Sequence, residues 1–201
     1  MSGGFPQRLV IASRNPGKVR EILSICADWP VEWLTHDDVT WPDVEETGET
    51  YLENALAKAR AVATATGEAA LADDSGIEVD ALGGAPGPRS ARYAGEHATD
   101  AQNLEALLRA LRGVPTGGRT ARYRAVAAVA APSAGERWAE GVCEGAIRGR
   151  PEGTGGFGYD PAFVPAGWDR TMAELSPEEK DRISHRGRAL RALRALLAGQ
   201  D

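Results

Sequence analysis

The sequence predicts an α/β protein built on a mixed sheet. Three observations carry that expectation. Apolar residues recur at helical spacing in some segments and run together or alternate in others, so both periods are present. Helical and strand-like segments also follow one another along the chain. Finally, the strand-like segments Thr120–Ala131 and Trp138–Ile147 are joined by the short connection Pro132–Glu136, which reads as a hairpin. At 201 residues the chain is expected to form one domain spanning 1–201, with room for two lobes around a cleft.

Taken in order, Arg8–Ala12 reads as a short buried strand running into the loop Ser13–Lys18. Val19, Ile22, Leu23 and Cys26 recur at helical spacing, so the loop opens a helix and meets its free N–H groups and positive dipole end. Glu45–Glu49 is a polar loop. Thr50-Tyr51-Leu52-Glu53 then forms a capping box, with Leu52, Ala55, Leu56, Ala59 and Val62 on one face and Gly67 as the stop. Ala69–Ala72 reads as a short strand ending at Asp73-Asp74. Gly76–Leu82, with Ile77, Val79 and Ala81 alternating, reads as another. Gly83–Gly95 is a Gly- and Pro-rich loop. Asp100 is expected to cap a helix faced by Leu104, Leu107, Leu108 and Leu111. After the hairpin, Ser176-Pro177-Glu178-Glu179 supplies a cap, a proline at the first position and a glutamate at the third. Ile183, Leu190, Leu193 and Leu197 carry an apolar stripe onward.

Hydrophobic residues make up 42% and charged residues 26%, which is the balance of a globular core. A net charge of -6 argues against a nucleic acid polymer as partner, because phosphate backbones call for a basic face. It leaves room for a small anion held by a few Lys and Arg residues. Cys26 and Cys143 make no disulfide framework and no CxxC pair; both read as small core hydrophobes, which fits a reducing, cytoplasmic setting without structural zinc. Residues 1–8 show no long apolar run after a basic start, so no signal peptide is expected. The longest apolar run, Ala125–Pro132, is too short to span a bilayer, so no membrane partner is expected. The sequence shows no internal repeat and no low-complexity linker.

Two acidic patches, Glu45-Glu46 and Asp73-Asp74-Ser75-Gly76, flank the helical stretch Thr50–Thr66 and follow the loop Ser13-Arg14-Asn15-Pro16-Gly17-Lys18. Carboxylates are the hard oxygen ligands magnesium takes, one or two of them beside substrate phosphates. A cation beside adjacent Asp73 and Asp74 relieves their repulsion, and one of the pair can orient and deprotonate a water. The bland alternative is a solvated Asp-Asp turn, the commoner fate of such pairs. Ser75, with a phosphate-binding hydroxyl, and Gly76, which admits a ligand to the backbone, weigh against it. The loop offers Ser13, Asn15 and the point charge of Lys18 to phosphate oxygens. It is not a P-loop, since no Ser or Thr follows Lys18 and the glycine spacing differs. An ordinary strand-to-helix turn with an exposed lysine fits the loop alone equally well. Acids and loop together point to a nucleoside polyphosphate handled with magnesium.

Gly153-Thr154-Gly155-Gly156-Phe157-Gly158 matches the letters of a dinucleotide-binding fingerprint. Tyr159-Asp160-Pro161 and Pro165 follow, so no helix opens there and that reading fails. The glycines instead make a flexible loop presenting Phe157 and Tyr159, with Phe157 either stacking on a base or anchoring the loop into the core. Lys180, His185 and Arg186 cluster near the last helix, where surface charge is the competing reading and the favoured one for Lys180 alone. His36 and His97 lie in polar loops and are expected to face solvent.

Four segments in order, Ser13-Arg14-Asn15-Pro16-Gly17-Lys18, Ala72-Asp73-Asp74-Ser75-Gly76, Gly155-Gly156-Phe157-Gly158-Tyr159-Asp160-Pro161 and Ser184-His185-Arg186-Gly187, resemble one family, the inosine/xanthosine triphosphate pyrophosphatases. The likeness runs from about residue 9 to about residue 195 and includes Glu45-Glu46-Thr47-Gly48, Ala85-Pro86-Gly87 and Ser90-Ala91-Arg92-Tyr93. It implies hydrolysis of deaminated purine triphosphates (ITP, dITP, XTP) at the α–β bond, which clears them from the nucleotide pool. It implies that Ser13, Asn15 and Lys18 bind the triphosphate and that Asp74 is the general base. Glu45 would ligate magnesium, with Asp74 on the same ion. Ser75 would touch substrate and Phe157 would stack on the base, with Gly158, Tyr159 and Asp160 in the same binding segment. Lys180, His185 and Arg186 would complete base and substrate binding. The resemblance further implies an elongated α/β fold with a central mixed sheet and flanking helices, two lobes around an active-site cleft, and a homodimer. Pro88-Arg89 stands where the family more often has an aliphatic residue and an aromatic, which bears on that loop and the dimer contact.

Selectivity is then a hydrogen-bonding question. Hypoxanthine and xanthine carry a carbonyl at position 6 where adenine carries an amino group, so a donor such as Arg186 facing that atom favours the first two. Guanine shares the carbonyl and must be rejected at its 2-amino group, for which no residue is assigned. Among rivals, a Maf-like pyrophosphatase looks for Ser-x-Ser-x-x-Arg, whereas Asn15 and Lys18 hold the diagnostic places here. A Nudix hydrolase lacks its glutamate-rich helix in this sequence, and an all-helical pyrophosphatase conflicts with the two long strands. A non-catalytic binding module has no use for Glu45 and Asp74.

Overall fold

The computed structural model describes residues 4–132 and 135–199. Among them, strands β1 (Arg8–Ile11), β2 (Glu32–Leu34), β3 (Ala69–Val79), β4 (Thr120–Ala131), β5 (Gly135–Ile147) and β6 (Phe163–Pro165) form one sheet in the order β2-β1-β3-β4-β5-β6. β1 runs parallel to β2 and β3, with Val10 opposite Leu34 and Ala70, while β5 and β6 are antiparallel. The sheet is therefore mixed. Helices α1 (Pro16–Ile25), α2 (Tyr51–Thr66), α3 (Asp100–Ala110), α4 (Pro177–Ile183) and α5 (His185–Leu197) accompany it. Among the described residues, no helix is long and apolar enough to cross a membrane.

The chain divides into two compact units. The first comprises Met1–Asp74, Ala125–Gly141 and Arg186–Asp201. Here the sheet is apolar on both sides. Leu9, Ile11, Ala69, Leu71, Ala125 and Ala127 pack with Ile22 of α1 and Leu190 and Leu193 of α5. Val10, Ala12, Ala70 and Ala72 pack instead with Ala59, Val62 and Ala63 of α2. Two covered faces explain why these strands read as continuous apolar runs and not as alternating ones. α2 has the predicted capping box, with Thr50 and Glu53 satisfying each other's backbone N–H, and Gly67 closes it at φ 74.

The second unit comprises Ser75–Arg124 and Val142–His185. Ile77, Val79, Tyr123, Cys143, Ile147 and Phe163 from the strands pack there with Leu104, Leu107 and Leu111 of α3. Neighbouring strand positions point the other way and carry charge. Arg122 donates to Asp80 (2.8 Å) and Glu144 (3.2 Å), and Arg124 to Glu78 (3.1 Å).

Several expectations need correcting. β3 is one strand through Asp73-Asp74-Ser75, not two strands broken at the acids. The motif has turn composition, but both carboxylates are buried and matched by partners on neighbouring elements, so the backbone stays extended. The end of the expected second strand, Asp80–Leu82, is a 3-10 turn. Thr99, not Asp100, caps α3, in a capping box with Gln102. β5 starts at Gly135, three residues before the expected start, and residues 133 and 134 of the expected hairpin connection lie outside the described residues. The last apolar stripe belongs to two helices, parted where Ser184 turns extended (ψ 155). β2 and β6, three residues each, carry too little pattern to be read in advance. Cys26 and Cys143 are buried and not joined in a disulfide, and His36 and His97 are exposed. The expectation on a signal peptide covers residues 1–8, of which 1–3 lie outside the described residues.

Candidate active site

In the first unit the site grows from the pleat of β3. Successive side chains point to opposite faces, so Asp73 follows Ala69 and Leu71 toward α1 and α5, while Asp74 follows Ala70 and Ala72 toward α2. Asp73 is 2% exposed and Asp74 4%. Each meets a different set of partners.

Asp73 is an ion-pair anchor. Its Oδ2 accepts from Arg186 Nη2 (2.7 Å) and Nε (3.1 Å), and Lys18 Nζ lies 3.4 Å from its Oδ1. Arg186 also donates to Glu21 of α1. Burial alone would raise the Asp73 carboxyl, but Arg186, Lys18 and Lys58 outweigh it and hold the group well below the usual carboxylate range. Burial likewise lowers the Lys18 ammonium, and Asp73 only partly offsets that.

Asp74 sits differently. Asn54 Nδ2 donates to its Oδ2 at 3.1 Å, and Lys58 Nζ is 3.4 Å from its Oδ1. Burial pushes this carboxyl up, and the pull of Lys58 and Lys18 downward does not cancel it. Lys58 also donates to Glu46 Oε1 (2.9 Å) and to the Asp73 carbonyl (2.8 Å). Its ammonium is desolvated by burial, yet Asp74, Glu46 and Asp73 raise its pKa overall. Of the acid pair expected to bind metal, Glu45 is exposed and Glu46 is the one turned to Lys58.

Three oxygens thus converge on one cationic nitrogen. An anionic point of this kind suits magnesium, which takes one or two carboxylates and fills its shell from water and phosphate. Among the described residues no group of three His, Cys, Asp or Glu side chains could hold a metal ion.

The Ser13–Lys18 loop opens α1 one turn earlier than its apolar stripe suggests. Asn15 is the cap: its side chain accepts from Gly17 N (2.8 Å) and Lys18 N (3.1 Å), and Pro16 takes the first helical position. Ser13 Oγ accepts from Asn15 N at 3.2 Å.

The second unit holds the remaining predicted residues. Buried Asp160 accepts on Oδ2 from Phe157 N (2.9 Å) and Lys180 Nζ (2.5 Å). Lys180 Nζ is 5.0 Å from the centroid of the half-buried Phe157 ring. Gly158 N donates to Asp100 Oδ2 (2.9 Å), and Tyr159 Oη to the Ser90 carbonyl (2.7 Å). Burial keeps the Tyr159 phenol protonated far above its ordinary range. His185 stacks on Tyr123, centroids 4.5 Å apart and planes 8° apart. Ser75 is half-buried on β3. Gly156 is compulsory, because a Cβ there would stand 2.1 Å from Asp160 Oδ2 and 3.0 Å from Lys180 Nζ, at φ 69.

Two readings change. Lys180, favoured as surface charge when taken alone, is 6% exposed and paired with Asp160. Arg186, expected to face the base edge, is 1% exposed and directs Nε, Nη1 and Nη2 at Asp73 and Glu21. These bonds use three of the five guanidinium N–H donors, so the pairing with Asp73 and Glu21 fixes the side chain without itself taking every donor. Sequence reasoning missed Lys58 and Asn54. Their signal was present: they lie four residues apart on α2, two polar residues beside the apolar face that includes Ala55 and Ala59.

The Ham1 family model matches residues 9–196. The chain is 52% identical to a dITP/XTP pyrophosphatase of Streptomyces avermitilis, over 92% of this chain and 94% of that protein. It is similar to the solved Ham1 protein of Staphylococcus aureus, with TM-score 0.84 and 41% identity over 96% of this chain and all of the other. A nucleoside-triphosphatase / dITP/XTP pyrophosphatase from Mycobacterium abscessus matches with TM-score 0.74 and 48% identity, covering 92% of this chain and 98% of that one.

Proposed function

The chain belongs to the Ham1 family and is a pyrophosphatase of deaminated purine nucleoside triphosphates, and on that premise we propose how its residues divide the work. It cleaves these noncanonical triphosphates to monophosphate and pyrophosphate. The observation that carries the assignment of roles is the different setting of two neighbouring carboxylates: Asp73 is locked to Arg186 and Lys18, whereas Asp74, on the other face of β3, is orientated by the Asn54 amide beside Lys58. A positioned carboxylate that is not committed to a guanidinium is the one suited to take a proton. Asp74 is the general base for the attacking water, and Asp73 stays an anion throughout.

Phosphoryl transfer needs positioning and charge neutralisation more than covalent chemistry. Lys18 and Lys58 offer their ammonium groups to the phosphate oxygens, and the Ser13–Lys18 loop brings the positive end of α1. Glu45 and Asp74 would hold a magnesium ion, whose charge offsets what builds up on those oxygens. Ser75 contributes its hydroxyl to substrate. Phe157 stacks on the purine, on a loop kept in place by Asp160, Gly158 and Tyr159, while Lys180 and His185 serve base binding. A cytoplasmic homodimer belongs to the same reading, and sizing with light scattering tests the assembly.

The experiment is pyrophosphate release from inosine, xanthosine, guanosine, adenosine and uridine triphosphates, with magnesium and with chelator. Strong release from the first two only, abolished by chelator, is expected. Preference for uridine triphosphate points to a Maf-like enzyme, and no release at all to a binding protein.

A further inference from the structure

We propose that Asn54 is a positioning residue for Asp74, and that its side-chain amide locks the Asp74 carboxylate to the loop bearing Glu45 and Glu46. Asn54 is 1% exposed. Its Oδ1 accepts from Gly48 N at 2.9 Å, and its Nδ2 donates to Asp74 Oδ2 at 3.1 Å. The amide cannot flip without loss: only an oxygen accepts the Gly48 N–H, so the NH2 group must face the carboxylate. With Oδ2 held by Asn54 and Oδ1 beside Lys58, the Asp74 carboxylate has one defined orientation.

The other end of the amide is built for the same purpose. A Cβ at Gly48 would lie 2.7 Å from Asn54 Oδ1 and 2.8 Å from Glu53 Cβ, so only glycine lets the loop come this close. Glu49 N and Thr50 N then both donate to Glu53 Oε2, at 2.9 and 3.0 Å. The acid-bearing loop, the first turn of α2 and Asp74 form one hydrogen-bonded assembly with Asn54 at its junction. Aspartate at this position keeps an acceptor for Gly48 but replaces the amide donor with a second carboxyl against Asp74, and leucine of similar size has neither donor nor acceptor. Lys58, four residues further along α2, faces the other oxygen of Asp74 and holds Glu46 of the acid-bearing loop.

The inference rests on Asp74 as the base, and the test separates the two. Asn54→Asp keeps the acceptor for Gly48 and removes the donor to Asp74, while Asn54→Leu removes both. Hydrogen-bond partners behind a working carboxylate typically cost about 10–100-fold when lost. We expect both variants to lose about that much in kcat on inosine triphosphate with KM unchanged, and Asn54→Asp to melt lower as well, because it buries a second carboxyl against Asp74. If Asn54→Leu does not fold, Asn54→Asp still carries the test. Wild-type kcat in Asn54→Asp, or a lower melting temperature with kcat and KM intact, overturns the proposal. Asp74→Asn is measured alongside. Near-normal turnover there overturns the base assignment and the proposal with it, whereas an inactive Asp74→Asn beside an unchanged Asn54→Asp overturns the proposal alone.

Discussion

Arg186 reaches the Asp73 carboxylate with Nη2 at 2.7 Å and Nε at 3.1 Å from the same oxygen, and its third nitrogen goes to Glu21. Both side chains of the Arg186–Asp73 pair are essentially sealed from water. Removing one partner of such a pair leaves a desolvated charge and typically costs about 3–5 kcal/mol. Arg186→Ala is therefore expected to lower the unfolding free energy, read from denaturant melts, by an amount in that range. Two N–H donors lie outside those bonds, so the surviving activity should fall more on inosine than on adenosine triphosphate. Equal losses on both would show that Arg186 reads no base edge.

Asp74 presents the opposite case, a carboxyl pushed up by burial and orientated by Asn54. Asp74→Asn keeps the size of the side chain, gives up one of the two acceptor oxygens that face Asn54 and Lys58, and cannot take a proton. We expect fold and nucleotide affinity to persist while turnover drops by about 10²–10⁴, the span usual for a positioned base. Steady-state kinetics beside nucleotide titration gives both numbers, and turnover near wild type removes Asp74 from this role.

The same contrast sets a pH signature for stability. An unfolded aspartate titrates near ~4, and folded Asp73 keeps its charge to far lower pH. Its contribution is whole above the unfolded value and drains away as pH falls toward the folded one. Denaturant midpoints should stay level from neutral pH down to about 5 and then decline. Asp73→Asn should start lower at neutral pH and show a weaker decline. Identical slopes for the two proteins would mean that the Asp73 pair carries no such share.

What the sequence revealed and what it hid divide along the same lines. β1, α1, α2 and β4 were legible because their signals are local: an apolar run, a 3.6-residue stripe, a capping box at Thr50 and Glu53, a glycine stop at Gly67. β3 was misread at Asp73-Asp74-Ser75 because local composition says turn, and what overrides it is distant. Arg186 lies 113 residues from Asp73 in sequence. The motif residues of the site could be named, but not their partners: nothing local says that Lys180 neutralises Asp160 or that Glu46 and not Glu45 turns toward Lys58.

The glycine-rich segment offers a test in which two neighbours should behave differently. Gly156 and Gly158 both have positive φ, 69 and 62, a conformation that costs other residues roughly 1–2 kcal/mol. Beyond that shared cost the two diverge. A Cβ on Gly158 meets nothing within 4 Å, whereas one on Gly156 strikes the Asp160 carboxylate at 2.1 Å. That carboxylate holds both the Phe157 backbone and Lys180. Gly156→Ala must therefore displace Asp160 and, with it, the residue assigned to stack on the purine. It should raise KM for inosine triphosphate as Phe157→Ala does, and lower the melting temperature, because the backbone cost and the disturbed buried Asp160–Lys180 pair add. Gly158→Ala should pay the backbone cost and disturb KM far less. Equal KM values for the two glycine variants would mean that the Asp160 clasp does not govern how Phe157 meets the base.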